Sequence, residues 1–186
     1  MRRMYTPNSP LVIKKGTELT ESESKQMVSA LYHEFKLDTD PHSFDDKLFF
    51  LYKASEEVVA MAGLWEVKPV MFDGKSYTIH GVVEVIATIK GRGYGSIVMR
   101  AMHEHMIKNN LTGIGFCRPA INDFYKKCGF TIVQGITHRF IYQNNGKEIT
   151  NQDGQIIFYQ DGTDEFMKHV LSDETKNVLL PTDTLW

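Results

Sequence analysis

From Glu21 onward the apolar positions return every three to four residues, at Met27, Leu31 and Phe35 with Val28 and Tyr32 beside them. That spacing lays one stripe along a helix. Thr20-Glu21-Ser22-Glu23 just before it has the Ser/Thr-x-x-Glu form in which the end side chains satisfy each other's free amides. A helix is therefore predicted to about Phe35, preceded by a short strand over Leu11 to Lys15. From Lys47 the period shortens. "KLFFLYK", "VVAMAGLWEV" and "SYTIHGVVEVIAT" are rich in β-branched and aromatic residues and read as strands, the first two separated by a polar "ASEE". Asp73-Gly74 tolerates positive φ and predicts that the last two pair as an antiparallel hairpin. After "KGRGYGS" the helical period resumes at Ile97, Val98, Ala101, Met102, His105 and Met106. "GIGFC" is a further strand, and Pro119 suits the first turn of a short helix ending near Cys128-Gly129. "FTIVQ", "RFIYQ" and "QIIFYQ" are strand-like, with turns expected at Asn144-Asn145-Gly146 and Asp153-Gly154. The tail from Phe166 to Trp186 shows no readable period. With no repeat or linker, the pattern predicts one α/β domain over residues 1–186, its core at about 10–160 and a tail at 161–186 that could complete a substrate site.

Composition narrows the partners. A chain of 186 residues with 42% hydrophobic and 24% charged residues resembles an ordinary globular domain, able to bury a core without disulfides. The formal net charge of -2 argues against nucleic acid as a partner, which calls for a basic stripe, and suits cationic ligands better. Cys117 and Cys128 form no Cys-x-x-Cys and read as buried hydrophobes in a reducing compartment. "MRRMYTPNSP" leads into no apolar segment and no run approaches membrane-spanning length, so a cytoplasmic location is expected, with no membrane partner. A homodimer is left open.

The glycines of Lys90-Gly91-Arg92-Gly93-Tyr94-Gly95-Ser96 fall between a strand and a helix. At a helix start the first amides lack intrahelical partners and the dipole is positive, so a bare backbone there admits phosphate oxygens. The spacing is not that of a P-loop, and the dinucleotide fingerprint would need glycine in place of Ser96. The stretch Lys90 to Gly95 instead resembles the Gln/Arg-x-x-Gly-x-Gly/Ala motif of the Gcn5-related N-acetyltransferases, with lysine in first place. Phe124-Tyr125-Lys126-Lys127-Cys128-Gly129-Phe130 is similar to that family's second signature, Phe-Tyr-x-x-x-Gly-Phe. The two motifs occur in the family's order over roughly residues 10 to 160. The resemblance implies a single-domain α/β fold, with a mixed, mostly antiparallel sheet flanked by helices and splayed at the strands that hold acetyl-CoA. It also implies a pyrophosphate cradle made by Lys90, Gly91, Arg92, Gly93, Tyr94, Gly95 and Ser96.

Moving acetyl from a thioester to an amine needs a base, because an alkylammonium of pKa ~10.4 has no lone pair at neutral pH. Glu84, alone among the apolar residues of "VVEVIAT", is either that base or a solvated charge on a half-exposed strand. The resemblance favours the base. It places Tyr125 as the acid that receives the departing thiolate, and the amides of Ile86, Ala87 and Thr88 against pantetheine and the thioester carbonyl. Attack is expected to be direct, without a cysteine intermediate. No metal is expected, since His103-Glu104-His105 points its histidines to different helix faces and is not His-Glu-x-x-His.

A longer resemblance, carried by "KQMVSALYHEF", the glutamate strand, the Asp153-Gly154 turn and the terminal "DTLW", is to the aminoglycoside 2'-N-acetyltransferase branch. It implies a small polycationic acceptor held by Glu34, Glu84, Asp153, Asp183 and the Trp186 carboxylate, with antibiotic resistance as the outcome. A peptide or protein amine acetyltransferase and a coenzyme A-binding regulatory module without turnover are the alternatives.

Overall fold

Helix α1 (Glu21–Phe35) begins where the sequence places it. Thr20 Oγ1 accepts from the Glu23 amide at 3.2 Å and Glu23 returns the bond to the Thr20 amide at 2.9 Å, a cap worth about 1 kcal/mol. Glu23 is 2% exposed and also takes ammonium groups from Lys14 at 2.8 Å and Lys53 at 3.3 Å. Burial alone would push its carboxyl up, but the bonds from Lys14, the Thr20 amide and Lys53 outweigh it and hold the pKa down at about 2. The computed structural model describes residues 10–144, 147–150 and 155–181.

The remaining elements are β1 (Leu11–Lys15), β2 (Lys47–Ala54), β3 (Glu57–Phe72), β4 (Lys75–Ala87), α2 (Tyr94–Asn109), β5 (Gly113–Cys117), α3 (Asn122–Lys127), β6 (Thr131–Gln134), β7 (Phe140–Asn144), β8 (Lys147–Thr150), β9 (Ile156–Gln160), α4 (Phe166–Ser172) and β10 (Val178–Leu180). Asp73 and Gly74 take φ of 49° and 71°, the left-handed pair that closes a tight hairpin between β3 and β4. The chain resolves into two compact units. One comprises residues up to Leu64 with Glu84–Met102, the other Trp65–Val83 with residues from His103 on.

In the first unit β2 lies between β1 and β3, and its register with β1 runs antiparallel from Leu11↔Tyr52 to Lys15↔Leu48. The core here gathers Met27, Leu31, Phe44, Phe49, Leu51 and Ile86. Tyr32 and Phe35 depart from the predicted stripe and stay exposed, at 54% and 45%. They sit in the last turn of α1.

In the second unit the strand order is β6-β9-β5-β4-β3-β10-β7-β8, with β4 entering up to Val83 and β3 from Trp65. β5 pairs antiparallel with β9 along its whole length. Its parallel pairing with β4 is confined to His80↔Gly113 and Gly81↔Ile114, although β5 runs on to Cys117. The core includes Val70, Ile79, Ile114, Phe140, Ile157, Phe166 and Val178. The tail without a readable period supplies α4 and β10. Val178, Leu179 and Leu180 pair in parallel with β7, and Leu179 pairs antiparallel with Met71 of β3.

Arg139 holds this tail. It is 3% exposed, and its guanidinium donates to the carbonyls of Val170, Asp173 and Lys176. No helix among the described residues is long and apolar enough to cross a membrane.

Candidate active site

Strand β4 carries Glu84 at φ +57°, a left-handed conformation rare for a residue with a side chain. The strand's alternation breaks there, so that Val82 and Val83 are neighbours and both buried. The Glu84 side chain is only 14% exposed, and its Oε1 accepts from Lys47 Nζ at 2.8 Å; Lys47 itself is 12% exposed. Oε2 is buried and has no hydrogen-bond partner among the described residues. Burial raises the Glu84 pKa above the usual carboxylate value; the Lys47 charge and hydrogen bond oppose that, and Asp46 adds to it. A carboxylate so placed is poised to take a proton.

Downstream, the Thr88 amide donates to Val59 O at 3.0 Å and the Thr88 hydroxyl reaches the same oxygen at 3.3 Å. This corrects the expectation for Thr88: its N–H is engaged by β3 and does not face a thioester. In an antiparallel ladder adjacent residues point their N–H groups to opposite sides, so the Ala87 amide is directed away from β3. The Ile86 side chain is buried in the core of its unit.

The glycine stretch then turns into α2. Gly91 and Gly93 take φ of 74° and 77°, and a Cβ built on either meets no atom of the described residues within 4 Å. Both face open space in a conformation that a side chain would strain. Gly93 O accepts from the Ile97 amide at 3.1 Å, the first turn of α2. The amides of Tyr94, Gly95 and Ser96 therefore precede the first intrahelical bond and lie at the positive end of a helix of 16 residues. The Tyr94 ring stacks on Tyr52 at 4.9 Å, which orients that turn. Arg92 is exposed, and Lys90 Nζ contacts Glu34 Oε2 at 2.9 Å. Glycines without neighbours, early helix amides and two cationic side chains fit the diphosphate of a coenzyme A thioester.

Tyr125, in the second unit, is 6% exposed and stacks on Phe158 with ring centroids 3.7 Å apart, with Phe124 and Phe130 edge-on. Burial first, and then the nearby thiols of Cys117 and Cys128, push its phenol well above the ordinary value. It stays protonated throughout the physiological range, which makes it a lasting hydrogen-bond donor and a weaker acid than a free tyrosine. Burial also raises Cys117 to about 11, so its thiol is no nucleophile. His103 bonds Gln160 Oε1 at 2.9 Å and packs edge-on to Phe130.

Of the residues expected at the acceptor, Glu34 is paired with the loop lysine and Glu84 with Lys47. Asp153, Asp183 and Trp186 lie outside the described residues. Lys47 escaped the sequence reading altogether, because a lysine opening a strand carries no signal that it will meet a glutamate 37 residues on.

A buried strand carboxylate followed by a glycine-lined helix start is the arrangement that an acyltransferase working from a nucleotide thioester requires. The model of the acetyltransferase (GNAT) family matches residues 16–130, and the chain belongs to that family. It is an N-acetyltransferase by that membership, and the donor its family uses is acetyl-CoA. Among solved structures it is similar to an acyl-CoA N-acyltransferase from Pseudomonas aeruginosa, at 13% identity and TM-score 0.56 over 81% of this chain and 98% of that one. Escherichia coli ElaA matches at 16% identity and TM-score 0.56, covering 81% and 99%. An N-acetyltransferase from Staphylococcus aureus Mu50 matches at 14% and 0.56, covering 81% and 97%. These likenesses show the α/β fold. No curated protein matches the chain significantly in sequence.

Proposed function

We propose that the chain acetylates a primary amine of a small polycationic acceptor of the aminoglycoside type, with Glu84 as the base. The observation that carries the reading is the Glu84 carboxylate, buried on its strand, raised in pKa and unpartnered at Oε2. In this reading the glycine stretch holds the donor's diphosphate and the Ala87 amide polarises the thioester carbonyl. The neutral amine attacks that carbonyl directly. The N–C bond forms, the C–S bond breaks, the amine proton passes to Glu84, and the departing thiolate takes its proton from the Tyr125 hydroxyl, which regains one from solvent. A polycation is the acceptor that the resemblance to the aminoglycoside branch implies, with Glu34 and Glu84, paired here with Lys90 and Lys47 at 2.9 and 2.8 Å, among its anions.

A peptide amine is the second reading. It draws on Tyr32, Phe35 and Leu37, exposed apolar residues around Glu34 at the end of α1.

A thiol-release assay with acetyl-CoA and a panel of aminoglycosides, polyamines and lysine peptides tests both. Turnover with the sugars, lowered ~10²-fold or more in Glu84→Gln, supports the first reading. Turnover confined to peptides replaces it with the second. Binding of acetyl-CoA without turnover on any amine overturns both.

A further inference from the structure

A lysine lies buried beside Glu84, and nothing in the motifs accounts for it. Lys47 opens β2 with its ammonium 2.8 Å from Glu84 Oε1 and only 12% of its side chain exposed. The Phe44 ring lies beneath it, 5.8 Å from Nζ. A long cation confined on both sides loses rotamer freedom, which a surface pair of this kind would not repay. Its contact is also selective: it takes one oxygen of the carboxylate and leaves the other, buried, without a partner.

We propose that Lys47 is a positioning residue for the transfer reaction, anchoring Glu84 through Oε1 so that Oε2 alone is turned to receive the proton of the acceptor amine. The inference rests on Glu84 being the base. Two features support it besides the contact itself. The left-handed backbone at Glu84 throws its side chain out of the strand's alternation, so the strand alone does not orient the carboxylate. And the charge that favours the ionised form of the buried carboxylate comes from Lys47, working against burial and against Asp46.

The sign of the effect follows. Without the cation, burial and Asp46 act unopposed and the carboxyl requires higher pH to ionise. The base is then lost over a wider acid range. An ammonium that merely held β2 in place would change amount or stability and leave the pH profile alone.

The test is the pH dependence of kcat/KM for one fixed acceptor in Lys47→Met, Lys47→Gln and Lys47→Arg, each checked for folding by circular dichroism, with Glu84→Gln alongside. The same acceptor throughout removes its own ionisation from the comparison. The expected result is an acid limb displaced upward by ~1 pH unit or more in the neutral variants and restored in Lys47→Arg. Two neutral replacements of different shape are used so that one folding failure does not end the test. If neither neutral variant folds, the kcat of Lys47→Arg decides. The guanidinium keeps the charge but alters the single-oxygen contact, so a lower kcat at an unmoved limb is expected, and wild-type kcat would overturn the proposal. If Glu84→Gln is inactive while the neutral variants keep the wild-type limb, Lys47 is structural and the inference fails with the base assignment intact. If Glu84→Gln turns over at the wild-type rate, the base assignment itself falls, and the inference with it.

Discussion

Replacing Gly93 by alanine separates the backbone demand of the glycine loop from its ligand. Gly93 has φ +77° and its built Cβ meets no protein atom within 4 Å, so in the free protein the substitution introduces left-handed strain and no clash. That strain is about 1–2 kcal/mol, a fall in Tm of roughly 2–4 °C per kcal/mol for a chain of this size. Gly74 offers a matched control. Its φ is +71° and its Cβ is equally unopposed, but it lies in the β3–β4 turn. Gly74→Ala should lose the same stability by urea unfolding. The two should part in calorimetry with coenzyme A. In Gly93→Ala the methyl group occupies the space through which a diphosphate approaches the early amides of α2, and the affinity should fall at least ~10-fold, about 1.4 kcal/mol. Gly74→Ala should bind as wild type. Equal stability losses with unchanged coenzyme affinity in both variants would refute the cradle, because the open space at Gly93 would then serve no ligand.

Tyr125→Phe should lower kcat by ~10- to 100-fold, the effect of losing a donor to the leaving thiolate, with coenzyme A affinity unchanged by calorimetry; a wild-type kcat would make the ring a packing residue. Arg139→Met leaves the carbonyls of Val170, Asp173 and Lys176 without their donor and should cost about 2–3 kcal/mol in urea unfolding, whereas less than ~1 kcal/mol would show that water replaces the guanidinium. Glu23 has its pKa depressed from 4.5 to about 2, so its contribution to stability is complete above 4.5 and vanishes as pH falls through about 2. Glu23→Gln should be less stable than wild type at neutral pH and should lose that slope, which acid titration of the unfolding midpoint would detect.

What could be read from the residues was whatever is local in cause. The capping box at Thr20 and Glu23, the Asp73-Gly74 turn and the glycine approach to α2 each depend on neighbours within a few positions, and each appears where predicted. The stripe of α1 was overextended to Tyr32 and Phe35, because periodicity marks a face and not how much of it is covered. Helix α4 was illegible for a different reason. It has 7 residues, too few to establish a period, and its second and third amides, those of Met167 and Lys168, donate to the Asp161 carboxylate, which lies outside the usual capping position. Strand β10 exists only through its partners β7 and β3. At the candidate site, the position of Glu84 was legible but its left-handed backbone was not, since glutamate gives no hint of it. Nor was the partnership with Lys47, which tertiary structure alone creates.

The contact between Lys90 and Glu34 behaves as an exchangeable clasp. Both side chains are largely in water, 63% and 40% exposed, so the pair stores less than ~1 kcal/mol and resists little. An anion settling into the glycine stretch would take over the lysine almost without opposition. The glutamate it abandons would then stand uncompensated at the end of α1, so that filling the first berth writes a negative charge into the threshold of the second.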